Sequence, residues 1–130
     1  MTFLSVHEDF LALLGSVPAG CPVHSGRVPD NPVFPYLLVR RFSPRLESRS
    51  LARTPHGSAL RWRVTIVGMT EEAVAGVLEP QVRGALEGAR LGGQRVEQVP
   101  TPGEVLEDQD VKIPGGASPF YLVTEWRVSK

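Results

Sequence analysis

The chain has a single cysteine, Cys21, only two lysines, Lys112 and Lys130, and no net formal charge over its 130 residues. A solitary thiol closes no intrachain disulfide, so synthesis in a reducing cytoplasm is expected. Fourteen basic residues balance fourteen acidic ones, which argues against a free-standing nucleic-acid binder and leaves local clustering as the source of any affinity for DNA. No apolar run approaches the roughly 18 residues of a membrane span. The stretch from Met1 to Gly15 carries Glu8 and Asp9 where a secretory leader would carry Lys or Arg.

Catalytic motifs are equally scarce. Cys21 and His24 form one C-x2-H pair, with only His7 and His56 as further candidates, whereas structural zinc takes four ligands and catalytic zinc three. A buried thiol beside a turn histidine is the simpler expectation, with no metal and no cofactor. The spacings of a nucleophile elbow, a zinc-protease helix or a phosphate-binding loop do not occur, and Gly115–Gly116 lead into a strand instead of a helix. Asp108 and Asp110 lack the glycine and distal Glu of a calcium loop. A non-enzymatic chain is therefore expected. The rival of a different class, an enzyme or small-ligand domain, would show one enclosed polar pocket in a monomer or dimer.

What is present suits one globular domain over residues 1–130: 42% hydrophobic and 22% charged residues, with 13 Gly and 12 Pro supplying turns and long connections. Val6, Phe10, Leu13 and Leu14 recur at helical spacing, with Ser5 as N-cap and Gly15 as stop. Prolines from Pro18 to Pro35 leave room only for an edge strand around Val23–Val28. Tyr36–Phe42 reads as a strand inside the sheet, and residues 43–57 as a long excursion. Leu60–Val67 alternates, with Leu60, Trp62, Val64 and Ile66 facing the core and Arg61, Arg63 and Thr65 facing water.

Thr70 then caps a long helix to Arg90, striped by Val74, Val77, Leu78, Val82, Ala85, Leu86 and Ala89 and ended by Gly92–Gly93. Pro80 predicts a kink in it, or a division into two shorter helices. Gln94–Val99 is a short strand, residues 100–119 a second long loop, and Phe120–Val128 a closing strand. The expected fold is α+β: a single, mostly antiparallel sheet of about four to five strands, with a long helix and a short N-terminal helix on one face. Trp62, Trp126, Phe120 and Tyr36 are expected in the core, whereas Phe34 and Tyr121, near strand ends beside prolines, suit an interface.

Charge is unevenly placed. Between Arg40 and Arg63 stand seven arginines, including Arg45, Arg49, Arg53 and Arg61, against the lone Glu47, and the negative counterweight is Glu104, Glu107, Asp108 and Asp110. One explanation is a solvated arginine face in a proteome that favours Arg over Lys. The other is assembly, because Arg suits interface ion pairs and phosphate contacts.

The segment HSGRVPDNPVFPYLLV, His24–Val39, preceded by a short helix, resembles the opening of tail terminator or tail completion proteins of long-tailed bacteriophages. The order that follows is also similar: a polar excursion, an alternating strand over Leu60–Val67, TEEAVAGVL opening a helix, and a closing aromatic strand over Phe120–Val128. Pro80 departs from the pattern. The resemblance implies a virion protein made in the host cytoplasm and placed in the neck. There a ring, usually a hexamer, caps the tail tube, stops its polymerisation and offers the surface that joins the head connector, while DNA passes through the lumen. The partners implied are other copies of the chain, the tail tube protein and a head-completion or connector protein. A ring contact is heterologous and needs different patches on the two sides of a subunit. The basic stretch with Arg45, Arg49, Arg53, Arg61 and Arg63, the acids Glu104, Glu107, Asp108 and Asp110, and the aromatics Phe34 and Tyr121 are the candidates for interface or lumen. A head-completion ring of the same neck is the neighbouring alternative.

Overall fold

Val6, Phe10 and Leu14 share one helix side through their four-residue spacing, and all three are buried on α1, Phe3–Gly15. The structure, a computed structural model, describes residues 3–17, 21–30, 32–42, 60–111 and 116–129. The helix begins two residues before Ser5, so Ser5 lies inside it and is not the N-cap.

Seven strands are found among the described residues: β1, Val23–Ser25; β2, Tyr36–Arg41; β3, Leu60–Gly68; β4, Arg90–Leu91; β5, Gln94–Val99; β6, Leu106–Glu107; and β7, Phe120–Ser129. They form one sheet in the order β1-β2-β3-β7-β5-β4, and β6 pairs with the first residues of β7 beyond the reach of β5. All pairs are antiparallel except β1 with β2. The expected four to five mostly antiparallel strands beside a long helix are therefore corrected to a mixed, seven-stranded, sheet-dominated fold.

Three local features account for the difference. The connection from Gly26 to Pro35, with its cis Phe34–Pro35 bond, is long enough to return the chain to the end where β1 began, as parallel pairing requires. Gly92 and Gly93 have φ of 59° and 81°, the paired positive values of a two-residue hairpin turn. They join Arg90–Leu91 to Gln94–Arg95 and do not terminate a helix. The stretch read as a loop from 100 to 119 contributes Leu106–Glu107 as a strand on β7.

The helix expected from Thr70 to Arg90 is the second correction. Its start is as anticipated, with the Ala73 amide donating to Thr70 Oγ1 at 3.0 Å. A π-helical segment, Glu72–Leu78, then runs directly into α2, Glu79–Leu86, giving 15 joined residues and not one long α-helix. Pro80 has no amide hydrogen, and its ring would press on the Gly76 carbonyl of an ordinary turn. The Glu79 amide instead donates to the Val74 carbonyl, and this five-residue step widens the turn enough to carry the proline without breaking the helix. Val74, Leu78, Val82 and Leu86 form the buried stripe, whereas Val77, expected within it, is 44% exposed.

The helices cover one face of the sheet. Leu37 and Val39 of β2, Trp62, Val64 and Ile66 of β3, Val96 of β5, and Leu122, Trp126 and Val128 of β7 join the helical stripes in one core cluster. Both tryptophans are core, as their strand positions indicate, and Phe120 is half-buried against it. Phe10 of α1 stacks on Trp62, with ring centroids 4.1 Å apart and planes 5° from parallel.

The polar atoms of this core are paired. Trp126 Nε1 donates to Thr124 Oγ1 at 2.9 Å, and that hydroxyl donates to the Val64 carbonyl at 2.9 Å. Thr124→Val keeps the shape but leaves the indole N–H without its acceptor. It is expected to cost about 1–3 kcal/mol in urea unfolding, and the same substitution should cost less in a Trp126→Phe background, where there is no indole N–H to strand.

Candidate interaction surface

Among the described residues no helix lies on the opposite face of the sheet, and strand register fixes what it displays. Tyr36, Val67, Tyr121 and Leu106 form one row across β2, β3, β7 and β6. Leu38, Thr65 and Val123 form the next. Beyond them come Arg40, Arg63 and Glu125, then Arg61, Arg127 and Glu97. The face is thus apolar at one end and charged at the other, where alternation in Leu60–Val67 had suggested a uniformly wet surface.

The apolar end is a groove of about 420 Å³. Its floor is Tyr36, Leu38, Thr65, Val67 and Tyr121. One wall is the proline-rich connection, with Val28, Pro29, Asp30, Pro32 and Phe34, and the other is Asp108, Val111 and Pro119. The second wall is tied down by the Asp108 amide donating to the Pro119 carbonyl at 2.8 Å and by the Asp110 amide donating to Asp108 Oδ1 at 3.3 Å. Phe34 and Tyr36 lie with ring centroids 5.4 Å apart, and His24 meets Tyr36 edge-on at 5.6 Å. Burial, with a smaller contribution from the Asp108 charge, pushes the Tyr36 hydroxyl above its ordinary range.

Tyr36 is therefore not the core residue that its place in an apolar strand suggested; it is half-buried on the groove floor. A smaller cleft of about 210 Å³ adjoins it, lined by Glu104, Leu106, Val123 and Glu125 among others, and the two share Tyr121.

At the charged end Glu125 gathers the arginines. Arg61 reaches Glu125 Oε1 at 2.7 Å and Arg63 reaches Oε2 at 3.4 Å. Both guanidinium groups lie over the Phe42 ring, 4.7 and 5.2 Å from its centroid. Arg127 pairs with Glu97 at 3.5 Å.

The residues expected at an interface are thus distributed in four ways. Phe34, Tyr121 and Asp108 meet in the groove, and Glu104 lies in the adjoining cleft. Glu107 and Asp110 are exposed nearby on β6 and on the turn that follows it. Arg61 and Arg63 are held within the subunit by Glu125 and Phe42. Arg45, Arg49 and Arg53, with the whole excursion at 43–57, lie outside the described residues.

Sequence reasoning missed Tyr36, Leu38, Val67, Asp30 and Glu125. The signal for the first three was parity: YLLV in β2 and TIV in β3 place apolar side chains on both faces, more than a wet outer face needs. Among the described residues no three His, Cys, Asp or Glu side chains come together in a metal-binding group. Cys21 is half-buried, and burial pushes its thiol up.

Among the described residues no helix is long and apolar enough to cross a membrane. Comparison with protein families, with curated proteins and with solved structures finds no match for this chain.

Proposed function

We propose that the chain is an assembly protein of the phage tail-terminator type, a subunit of a closed ring that caps the tail tube, ends its growth and presents the joining surface for the head. The observation that carries this reading is the sheet face opposite the helices, left uncovered by the described residues, whose two ends differ in chemistry. One end is an apolar groove edged by carboxylates, and the other is a guanidinium cluster around Glu125. A large apolar surface edged by polar groups marks a contact site, and a ring joint needs two unlike patches on each subunit. The resemblance of His24–Val39 to the opening of tail-terminator proteins supports the particular kind of assembly.

The test is mass measurement and electron microscopy of the protein alone and with tail tubes. A closed ring of defined stoichiometry, alone or on tube ends, and copurification with tube protein are expected. Copurification with the connector alone would replace this reading with the head-completion ring. A subunit that stays monomeric in the presence of tube ends would overturn both.

A further inference from the structure

Strand register sets arginine directly opposite arginine three times. Arg40 of β2 faces Arg63 of β3, Arg61 of β3 faces Arg127 of β7, and Arg95 of β5 faces Arg90 of β4. All six lie on the face away from the helices, since their neighbours along each strand, Val39, Trp62, Leu91, Val96 and Trp126 among them, point into the core. Like charges opposite one another on a sheet are destabilising. Among the described residues the same rows hold two carboxylates, Glu125 and Glu97, which pair with Arg61, Arg63 and Arg127. The guanidinium groups of Arg40 and Arg95 are exposed and have no hydrogen-bond or ion-pair partner among the described residues. The residues outside those described do not supply the missing negative charge, because they hold one acid, Glu47, against five Lys and Arg residues.

An occupant that relieves this repulsion has to carry negative charge along the whole band, which crosses five strands and so spans roughly 20 Å at the ordinary strand spacing. A nucleic-acid duplex carries one phosphate charge per about 1.7 Å of its axis, and guanidinium forks match phosphate oxygens. The acidic stretch of a second copy offers less. Asp108 lines the groove and accepts from the Asp110 amide, which leaves Glu104, Glu107 and Asp110 exposed within seven residues, close to Lys112. A single strand would need rings on which to stack its bases, and the Phe42 ring at this end already lies under Arg61 and Arg63.

We infer that this arginine band binds the phosphate backbone of double-stranded DNA without reading its sequence. Each subunit carries the band by itself, independently of ring formation. The balanced charge of the chain holds one subunit to the weak, salt-sensitive range of non-specific binding, about 10⁻⁴–10⁻⁶ M.

Fluorescence anisotropy of a labelled, mixed-sequence DNA duplex, titrated with the full chain between about 50 and 200 mM NaCl, tests this. Log affinity against log salt should fall with a slope of about −4, as release of about four or five counterions requires. Arg40→Gln and Arg95→Gln should each flatten the slope by about one, and together weaken binding about tenfold or more at the low-salt end. Neither should lower the urea midpoint, because each removes one member of a repelling pair. Arg83→Gln, which deletes the same charge from α2 on the helical side, should leave binding unchanged. Absent or salt-independent binding, an equal loss in Arg83→Gln, or unchanged affinity in the Arg40→Gln, Arg95→Gln double variant would overturn the assignment. So would equal binding of poly-glutamate, which gives the band to carboxylates, or DNA-free self-association lost in the double variant, which gives it to a second copy. Anisotropy reports on DNA contact and mass measurement on ring closure, so each can fail without the other.

Discussion

Trp62→Ala is expected to destabilise the protein by about 3–5 kcal/mol, the range for truncating a buried indole to a methyl. Three effects coincide at this side chain. It is 1% exposed within the sheet core, opposite Trp126 in register. It is the surface on which Phe10 stacks, and Phe10 anchors the middle of α1. Its Nε1 donates to His7 Nδ1 at 3.1 Å, so truncation also strands a buried acceptor. Urea unfolding followed by the fluorescence of Trp126 measures the loss, and amide exchange on α1 should accelerate alongside it. Trp62→Phe keeps a ring for Phe10 but no donor for His7, and should lose about 1–3 kcal/mol. A near-neutral result for Trp62→Ala would remove Trp62 from the core and place it at a subunit contact.

The position of Trp62 was legible in the sequence because strand alternation has a period that survives any topology. The same holds for Val64 and Ile66, for the β7 alternation from Phe120 to Val128, and for the α1 stripe. The number of strands and their directions were less legible. Two glycines after a helical stripe serve equally as a helix stop or a hairpin turn, and only the pairing of Leu91 with Gln94 decides between them. Pro80 announced a disturbed helix, but a kink, a break and a widened turn all relieve the same clash, and burial of Val74, Leu78, Val82 and Leu86 on one stripe selects the last.

The candidate surface was legible in pieces. Phe34, Tyr121 and Asp108 each stood out by residue type and neighbourhood, but they are far apart in the chain. They meet only because β2 and β7 flank β3, and because the Asp108 turn is tied to Pro119. The arginine count between Arg40 and Arg63 gave no hint that Glu125, more than sixty residues from Arg61, would hold two of them. Local charge excess reports on composition; which charges remain available for a partner depends on cross-strand register.

Stability should also fall in mildly acid solution through His7, a buried residue whose only apparent part in the sequence was as a spare metal ligand. With Trp62 donating to Nδ1, the proton of the neutral ring sits on Nε2, which meets Ser25 Oγ at 3.2 Å. The ring thus ties α1 to both β1 and β3. Protonation would place a second N–H against the Trp62 N–H. Burial and the nearby Arg41 guanidinium lower the His7 pKa, with Glu8 opposing them weakly. The unfolded chain takes up a proton on this residue near the ordinary value of about 6.5, while the folded protein resists it to lower pH. The contribution of His7 is therefore complete above about 6.5, declines as pH falls from there to the lowered folded value, and is spent below it. His7→Asn places a non-titrating acceptor near Nδ1, and His7→Leu removes acceptor and titration together. Relative to either variant, the wild-type protein should lose its stability advantage between pH 7.5 and pH 5 in urea unfolding, and His7→Leu should be less stable by about 1–3 kcal/mol at neutral pH. A wild-type-minus-variant difference that stays flat across that interval would mean that the imidazole is not held neutral between Trp62 and Ser25.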